Sequence, residues 1–213
     1  MPRLPRSFPP NTVLHIVNRG VERRCLFADA RDYARFRQLL WHVSREVMMP
    51  LLAYALMPNH WHLVIWPPST AAMSQFMHRL TWRHAADLRF RTDSIGDGHV
   101  YQGRYRAWQV HTPAQFVRVL RYVEGNPLRA GLVAKAEDWP WSSLRERRGA
   151  GRRELDAGPV ELPAINEWLV LVNEPLSDRE LQAARSRRRS ARGLAPMARR
   201  LRSFRAIGAR PQL

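Results

Sequence analysis

The sequence predicts an α+β fold, a four-stranded antiparallel sheet with helices packed on it, followed by a basic C-terminal extension. Three observations predict it. Strand-like and helix-like segments follow one another in the order β-α-β-β-α-β between residues 12 and 110, the order of a ferredoxin-like or RRM-like sheet. The two middle strands are joined by Pro58-Asn59 alone, a connection that permits an antiparallel hairpin and little else. Apolar residues make up 45% of a 213-residue chain, enough for one filled core and an appendage.

Each element has a local reason. Residues 12–20, TVLHIVNRG, are β-rich and end in a glycine turn. Residues 29–47 open on Asp29 as a cap and carry Tyr33, Phe36, Leu39, Leu40 and Val43 at helical spacing. Residues 50–58 and 60–66 read as the second and third strands. Residues 71–91 read as a long helix with Met73, Phe76, Met77, Leu80 and Trp82 near one side. A glycine-rich loop at 93–99 leads to a short strand at 105–110. The last helix, 112–127, has Thr112 as cap, Pro113 at its first position and Pro127 as its expected stop. The domain is expected to span 1–137, with 138–213 as the extension, a DNA-binding arm or a partly disordered tail. Within it, residues 179–213 hold eleven arginines and one acid, Glu180, a net +10.

Charge narrows the function. The formal net charge is +17 and the pI about 11.6, a balance that favours a polyanionic partner, most often nucleic acid. Of the 35 basic residues only Lys135 is lysine; base composition accounts for that preference, but not for the excess of bases over acids. The single cysteine, Cys25, excludes an internal disulfide and a cysteine-based zinc site and suits a reducing cytoplasm. No stretch of about 18 apolar residues suggests a membrane span.

Two constellations carry chemistry. His60 and His62 lie one residue apart on a strand and so face the same side, with Trp61 opposite. That spacing suits one metal ion; taken alone, it is more often a coincidence of two core histidines than a ligand pair. Tyr122 and Asn126 lie four apart on the last helix, one turn from each other on one face. Read alone they are a core tyrosine and a helix-end amide. If that helix packs on the open sheet face, all four side chains meet.

LMPNHWHLVI (56–65), YQGRYRAW (101–108), RYVEGNPLRAGLV (121–133) and DWPWSS (138–143), together with the N-terminal PRLPRSFPPNTVLHIVNRG, resemble in this order the blocks of the REP-associated tyrosine transposases, relatives of the single-tyrosine HUH transposases of small insertion sequences. The resemblance covers most of residues 1–147. It implies an HUH endonuclease fold, His60 and His62 as metal ligands with Asn126 completing the site, Tyr122 as nucleophile, and magnesium or manganese as cofactor. It implies a bacterial, nucleoid-associated protein. The implied substrate is single-stranded DNA with hairpin-forming palindromic repeats, cut and rejoined through a 5′-phosphotyrosine. The basic tail diverges from the family's usual ending.

Around that chemistry, Arg3, Arg6, Arg19, Arg23 and Arg24, and Arg187, Arg188 and Arg189 in the tail, are expected DNA contacts. Trp66, Trp82, Tyr101 and Trp108 are aromatic rings for unpaired bases, or core. A non-catalytic DNA- or RNA-binding protein on the same fold is the alternative, as is a basic DNA-coating protein that acts through its tail.

Overall fold

The computed structural model describes residues 8–9, 11–93, 98–149 and 155–185. Four strands, β1 (Val13–Arg19), β2 (Leu51–Met57), β3 (His60–Ile65) and β4 (Arg106–Val110), form one sheet in the order β2-β3-β1-β4. Every neighbouring pair is antiparallel, the arrangement that the β-α-β-β-α-β order requires of a ferredoxin-like sheet.

Alternation along the strands splits the core in two. Leu14, Ile16, Trp61, Leu63 and Ile65 point to one face, where α1 (Ala30–Glu46) and α2 (Thr70–Arg91) cover them. Both helices begin on the expected kind of cap. The Asp29 carboxylate accepts from the amides of Arg31 and Asp32, and Ser69 accepts from Ala72. Along α2 the buried side chains are Met73, Phe76, Met77, Leu80, His84 and Leu88. Trp82, expected beside them, is 64% exposed; it lies two positions from Leu80, about 200° round the helix.

The opposite face is covered as well. Val13, Leu52, Ala53, Ala55, Val64 and Val110 meet α3 (Pro113–Glu124), α6 (Ile165–Asn173) and α7 (Asp178–Arg185). Thr112 caps α3 by accepting from the Gln115 amide, with Pro113 in the first turn. The helix does not run on to Pro127 as expected. It ends at Glu124, and after Gly125 a separate turn, α4 (Asn126–Arg129), carries Pro127 near its start, where a missing N–H costs nothing.

Much of the chain beyond residue 138 is part of this core. Trp139 donates from Nε1 to the Leu56 carbonyl at 2.9 Å, and Trp168 is 1% exposed among the residues of the second core. Glu124, at the end of α3, is fully buried. It accepts from Ser143 Oγ at 2.5 Å, Arg147 Nε at 2.7 Å and Trp168 Nε1 at 2.7 Å. One carboxylate thus ties α3 to α5 (Leu144–Arg147) and α6. No helix among the described residues is long and apolar enough to cross a membrane.

Candidate active site

His60 opens β3 directly after the Pro58-Asn59 turn, and that turn is clamped from outside. The Gly20 amide donates to Asn59 O at 2.9 Å and the Leu26 amide to Pro58 O at 2.7 Å. Gly20 is required there, since a Cβ would lie 2.5 Å from the Arg24 carbonyl oxygen. In the β1–β3 register Val17 stands opposite His62 and Arg19 opposite His60. His15, two residues before Val17, therefore shares their face and lies diagonal to His62.

The two histidines of the motif are held alike. His60 Nδ1 meets Asn59 Oδ1 at 2.7 Å, and His62 Nδ1 meets His15 Nε2 at 3.0 Å. Their rings stand 5.1 Å apart at 74°. With both Nδ1 atoms engaged, Nε2 is the nitrogen each ring has left to offer, the usual second-sphere arrangement of metal-binding imidazoles. Burial pushes His60 down to about 4, aided by the Arg19 charge. His62 is held well below the ordinary 6.5 by burial first, then by the neighbouring His15 and His60. Both rings are neutral at pH 7, the state that coordinates.

Tyr122 comes down on this pair from α3. It is 6% exposed, with its ring edge-on to His62 and to His15, both at 5.7 Å. The Arg129 guanidinium lies 4.5 Å above the Tyr122 ring centroid and donates to the Tyr122 carbonyl, so α4 folds back over the tyrosine. His60, His62, Tyr122 and Asn126 line a single cleft of about 670 Å³ with His15, Arg19, Arg104, Arg106 and Trp108.

Asn126 reaches the cleft from the first residue of α4, across the break at Gly125, rather than from one continuous helix. Its buried Nδ2 has no hydrogen-bond partner among the described residues. The Gly125 break lets α3 and α6 touch: a Cβ there would lie 3.0 Å from both Arg121 O and Val172 O. Among the described residues no three His, Cys, Asp or Glu side chains converge as a metal site. The donor set available is two neutral imidazoles and an amide.

Of the arginines named from the sequence, Arg19 lines the cleft. Arg23 and Arg24 lie on and just after a short 3-10 turn and are not among its walls. Arg3, Arg6, Arg187, Arg188 and Arg189 lie outside the described residues. The aromatic residues divide. Trp66 and Tyr101 are buried, Tyr101 holding His84 Nδ1 at 2.5 Å and Trp61 Nε1 at 3.2 Å. Trp108 stacks on His15 at 5.3 Å inside the cleft. His15, Arg104, Arg106 and Arg129 were not anticipated. Arg106 had a signal: it alternates with Trp108 along a strand, so one of its faces was basic and aromatic. His15 had none, because its partner is 47 residues away.

Glu124, next but one to the tyrosine, does not face the cleft; its carboxylate is used up in the contacts to Ser143, Arg147 and Trp168.

Comparison with known proteins identifies the family and the fold. A REP-associated tyrosine transposase of Escherichia coli (strain K12) is 24% identical over 130 residues, which are 61% of this chain and 75% of that protein. The solved structure of a REP-associated tyrosine transposase bound to a REP hairpin superimposes with a TM-score of 0.54 at 19% identity. That match covers 77% of this chain and 96% of the other, and the shared architecture is the four-stranded antiparallel sheet with its helices. The family model for IS200-like transposases matches residues 10–126, more than half of the chain and the whole stretch from β1 to Asn126. The protein belongs to the IS200-like transposase family.

Proposed function

We propose that this transposase cuts and rejoins single-stranded DNA at hairpin-forming palindromic repeats through a covalent 5′-phosphotyrosine on Tyr122. The observation that carries the reading is the meeting of Tyr122 with His60 and His62, rings 5.7 Å apart at His62, in one arginine-walled cleft. The relative of known structure was solved with a REP hairpin, which supports the substrate class.

The chemistry follows from the residues. Arg19, Arg104 and Arg106 place positive charge along the cleft wall, where they bind backbone phosphates. The Tyr122 hydroxyl attacks phosphorus in line, the bond to the 3′ oxygen breaks, and that oxygen leaves with a proton as a 3′-hydroxyl. The tyrosyl phosphodiester keeps the bond energy, so an incoming 3′-hydroxyl can displace Tyr122 and seal a new strand without ATP. Arg129, over the tyrosine ring, fixes its direction of approach.

The residues fit a divalent cation. His60 and His62 are neutral and present Nε2, and Asn126 brings an amide that lines the same cleft, of which the oxygen is the atom that could bind an ion. Such an ion, magnesium or manganese by family resemblance, would neutralise a phosphate oxygen as charge builds in transfer. A non-catalytic nucleic-acid-binding protein on this fold is disfavoured, because α3, α6 and α7 cover much of the sheet face that an RNA-binding module leaves to bases.

The test is adduct formation. A single-stranded hairpin from the protein's own locus, labelled downstream of the cut, is incubated with the protein and manganese. A labelled, protein-sized band is expected to survive denaturing electrophoresis and to vanish in Tyr122→Phe, while binding of uncut hairpin persists. Normal cleavage by Tyr122→Phe would overturn the assignment.

A further inference from the structure

A second cleft adjoins the first and is built differently. It has a volume of about 840 Å³ and runs between α2 and the segment leading into β4. One wall is a single stripe of α2, Ser74, His78, Trp82, Ala85 and Arg89, residues that recur every three to four positions. The other wall includes Arg104 and Tyr105. Arg104 and Asn18 line both clefts.

The two clefts lie on opposite faces of the sheet. His15 and Arg106 point to the face of the candidate active site, while Ile16 and Ala107 point to the face of α1 and α2. β4 is an edge strand, so a chain leaving the active-site cleft can turn round its end at Arg104 and enter the second cleft without crossing the sheet.

What that cleft offers is an uncovered indole. Trp82 is 64% exposed, and Phe90, two turns further along α2, is 78% exposed. These are the only two large aromatic side chains so exposed among the described residues, and both stand on one helix, about 12 Å apart by helical rise. An exposed tryptophan in a cleft whose walls include Arg89 and Arg104 has the make-up of a stacking platform for a nucleotide: a π-face for the base and guanidinium groups within the same cleft for its phosphates.

We infer that the Trp82 cleft is a binding subsite for an unpaired nucleotide of the DNA strand that continues from the active-site cleft round the β4 edge. The inference rests on the single-stranded DNA reading proposed above. It commits to DNA because the cleft is continuous with the candidate active site and its charged wall residues, Arg89 and Arg104, are cationic. A second copy of the protein, docking through the same ring, is the competing occupant.

The test uses the full-length protein and two fluorescein-labelled probes, an oligothymidine single strand and a blunt duplex, followed by anisotropy. Trp82→Ala is expected to weaken oligothymidine binding about tenfold and to leave the duplex unchanged, and Trp82→Phe to restore most of the loss. An oligothymidine carrying 5-iododeoxyuridine, photo-crosslinked and mapped by mass spectrometry, is expected to label the peptide containing Trp82. Equal losses on both probes, no loss on either, or a crosslink confined to other peptides would overturn the subsite. So would a wild-type dimer that Trp82→Ala splits, seen by sedimentation, with oligothymidine affinity unchanged. The Tyr122→Phe adduct assay is separate: if Tyr122 proves essential while Trp82→Ala binds as wild type, only the subsite fails. Should the adduct survive Tyr122→Phe, the catalytic reading fails whatever Trp82 does.

Discussion

The least expected residue of the site is His15, and what it does is decided by one contact. Its Nε2 lies 3.0 Å from His62 Nδ1, so it fixes the tautomer and ring orientation with which His62 presents Nε2 to the cleft. His15→Ala leaves a buried nitrogen of His62 without its partner. The expected outcome is a manganese affinity about ten- to a hundredfold weaker, measured by calorimetric titration of the DNA-free protein. An unchanged affinity would make the pair mere packing. The same histidines set an acid limit. Burial holds His15, His60 and His84 at about 4 and His62 well below the usual value. The unfolded chain would bind protons at these sites from about 6.5 downwards while the folded one does not. Stability is therefore full above about pH 6.5 and falls as pH drops towards 4. Urea midpoints at about pH 7.5 and about pH 5 check this, with the lower value expected in acid; a flat profile would contradict neutral burial.

At the level of elements, the candidate nucleophile depends on how the end of α3 is anchored. Glu124 binds Ser143, Arg147 and Trp168 from a fully buried position two residues after Tyr122. Glu124→Gln keeps the shape but removes the charge opposite Arg147, whose own side chain is 16% exposed. Breaking such a pair costs about 3 kcal/mol, several degrees of Tm in a domain of this size. The expected result is a lower Tm together with slower formation of the tyrosyl adduct; a lower Tm with an unchanged adduct rate would separate anchoring from chemistry. The elements that were legible in the sequence are those with a strong local signal: the Asp29 and Thr112 caps, the Pro58-Asn59 hairpin, the β-rich run of β1 and the alternation of His60, Trp61 and His62 in β3. The misreadings have local causes too. Trp82 was counted with Leu80 because an apolar residue near a stripe resembles one within it. The end of α3 was placed at Pro127 because proline is the louder stop signal, whereas the helix ends at its cap, Gly125, whose missing side chain also leaves room for Val172 of α6. The fit of α6 against the core had no periodicity of its own to announce it, since its anchor, Trp168, is explained only by a carboxylate 44 residues earlier.

For the whole molecule the open question is how the charge is divided between cleft and tail. The tail was expected to begin contributing at residue 179, but α7 runs from Asp178 to Arg185 and packs on α3. Ala184 of that helix is buried in the second core with Tyr122, so a cut at 179 would strip cover from α3 as well as charge. The informative cut is after Arg185. Residues 186–213 contain nine arginines and no acidic residue, so their removal subtracts a formal +9 and leaves +8 of the original +17. Each phosphate neutralised on a single strand contributes roughly 0.7 to the slope of log affinity against log salt. If the tail binds phosphate, the truncated protein is expected to bind oligothymidine more weakly at low salt and with a shallower slope. The two proteins would converge in affinity at high salt, where released counterions no longer drive binding. The manganese-dependent adduct should still form on a hairpin at saturating DNA, because Tyr122, His60, His62 and Asn126 all lie in the retained part. Identical slopes would mean that Arg187, Arg188, Arg189 and the arginines after them do not contact the DNA, and that the arginines of residues 1–185, Arg19, Arg104 and Arg106 among them, supply the phosphate contacts.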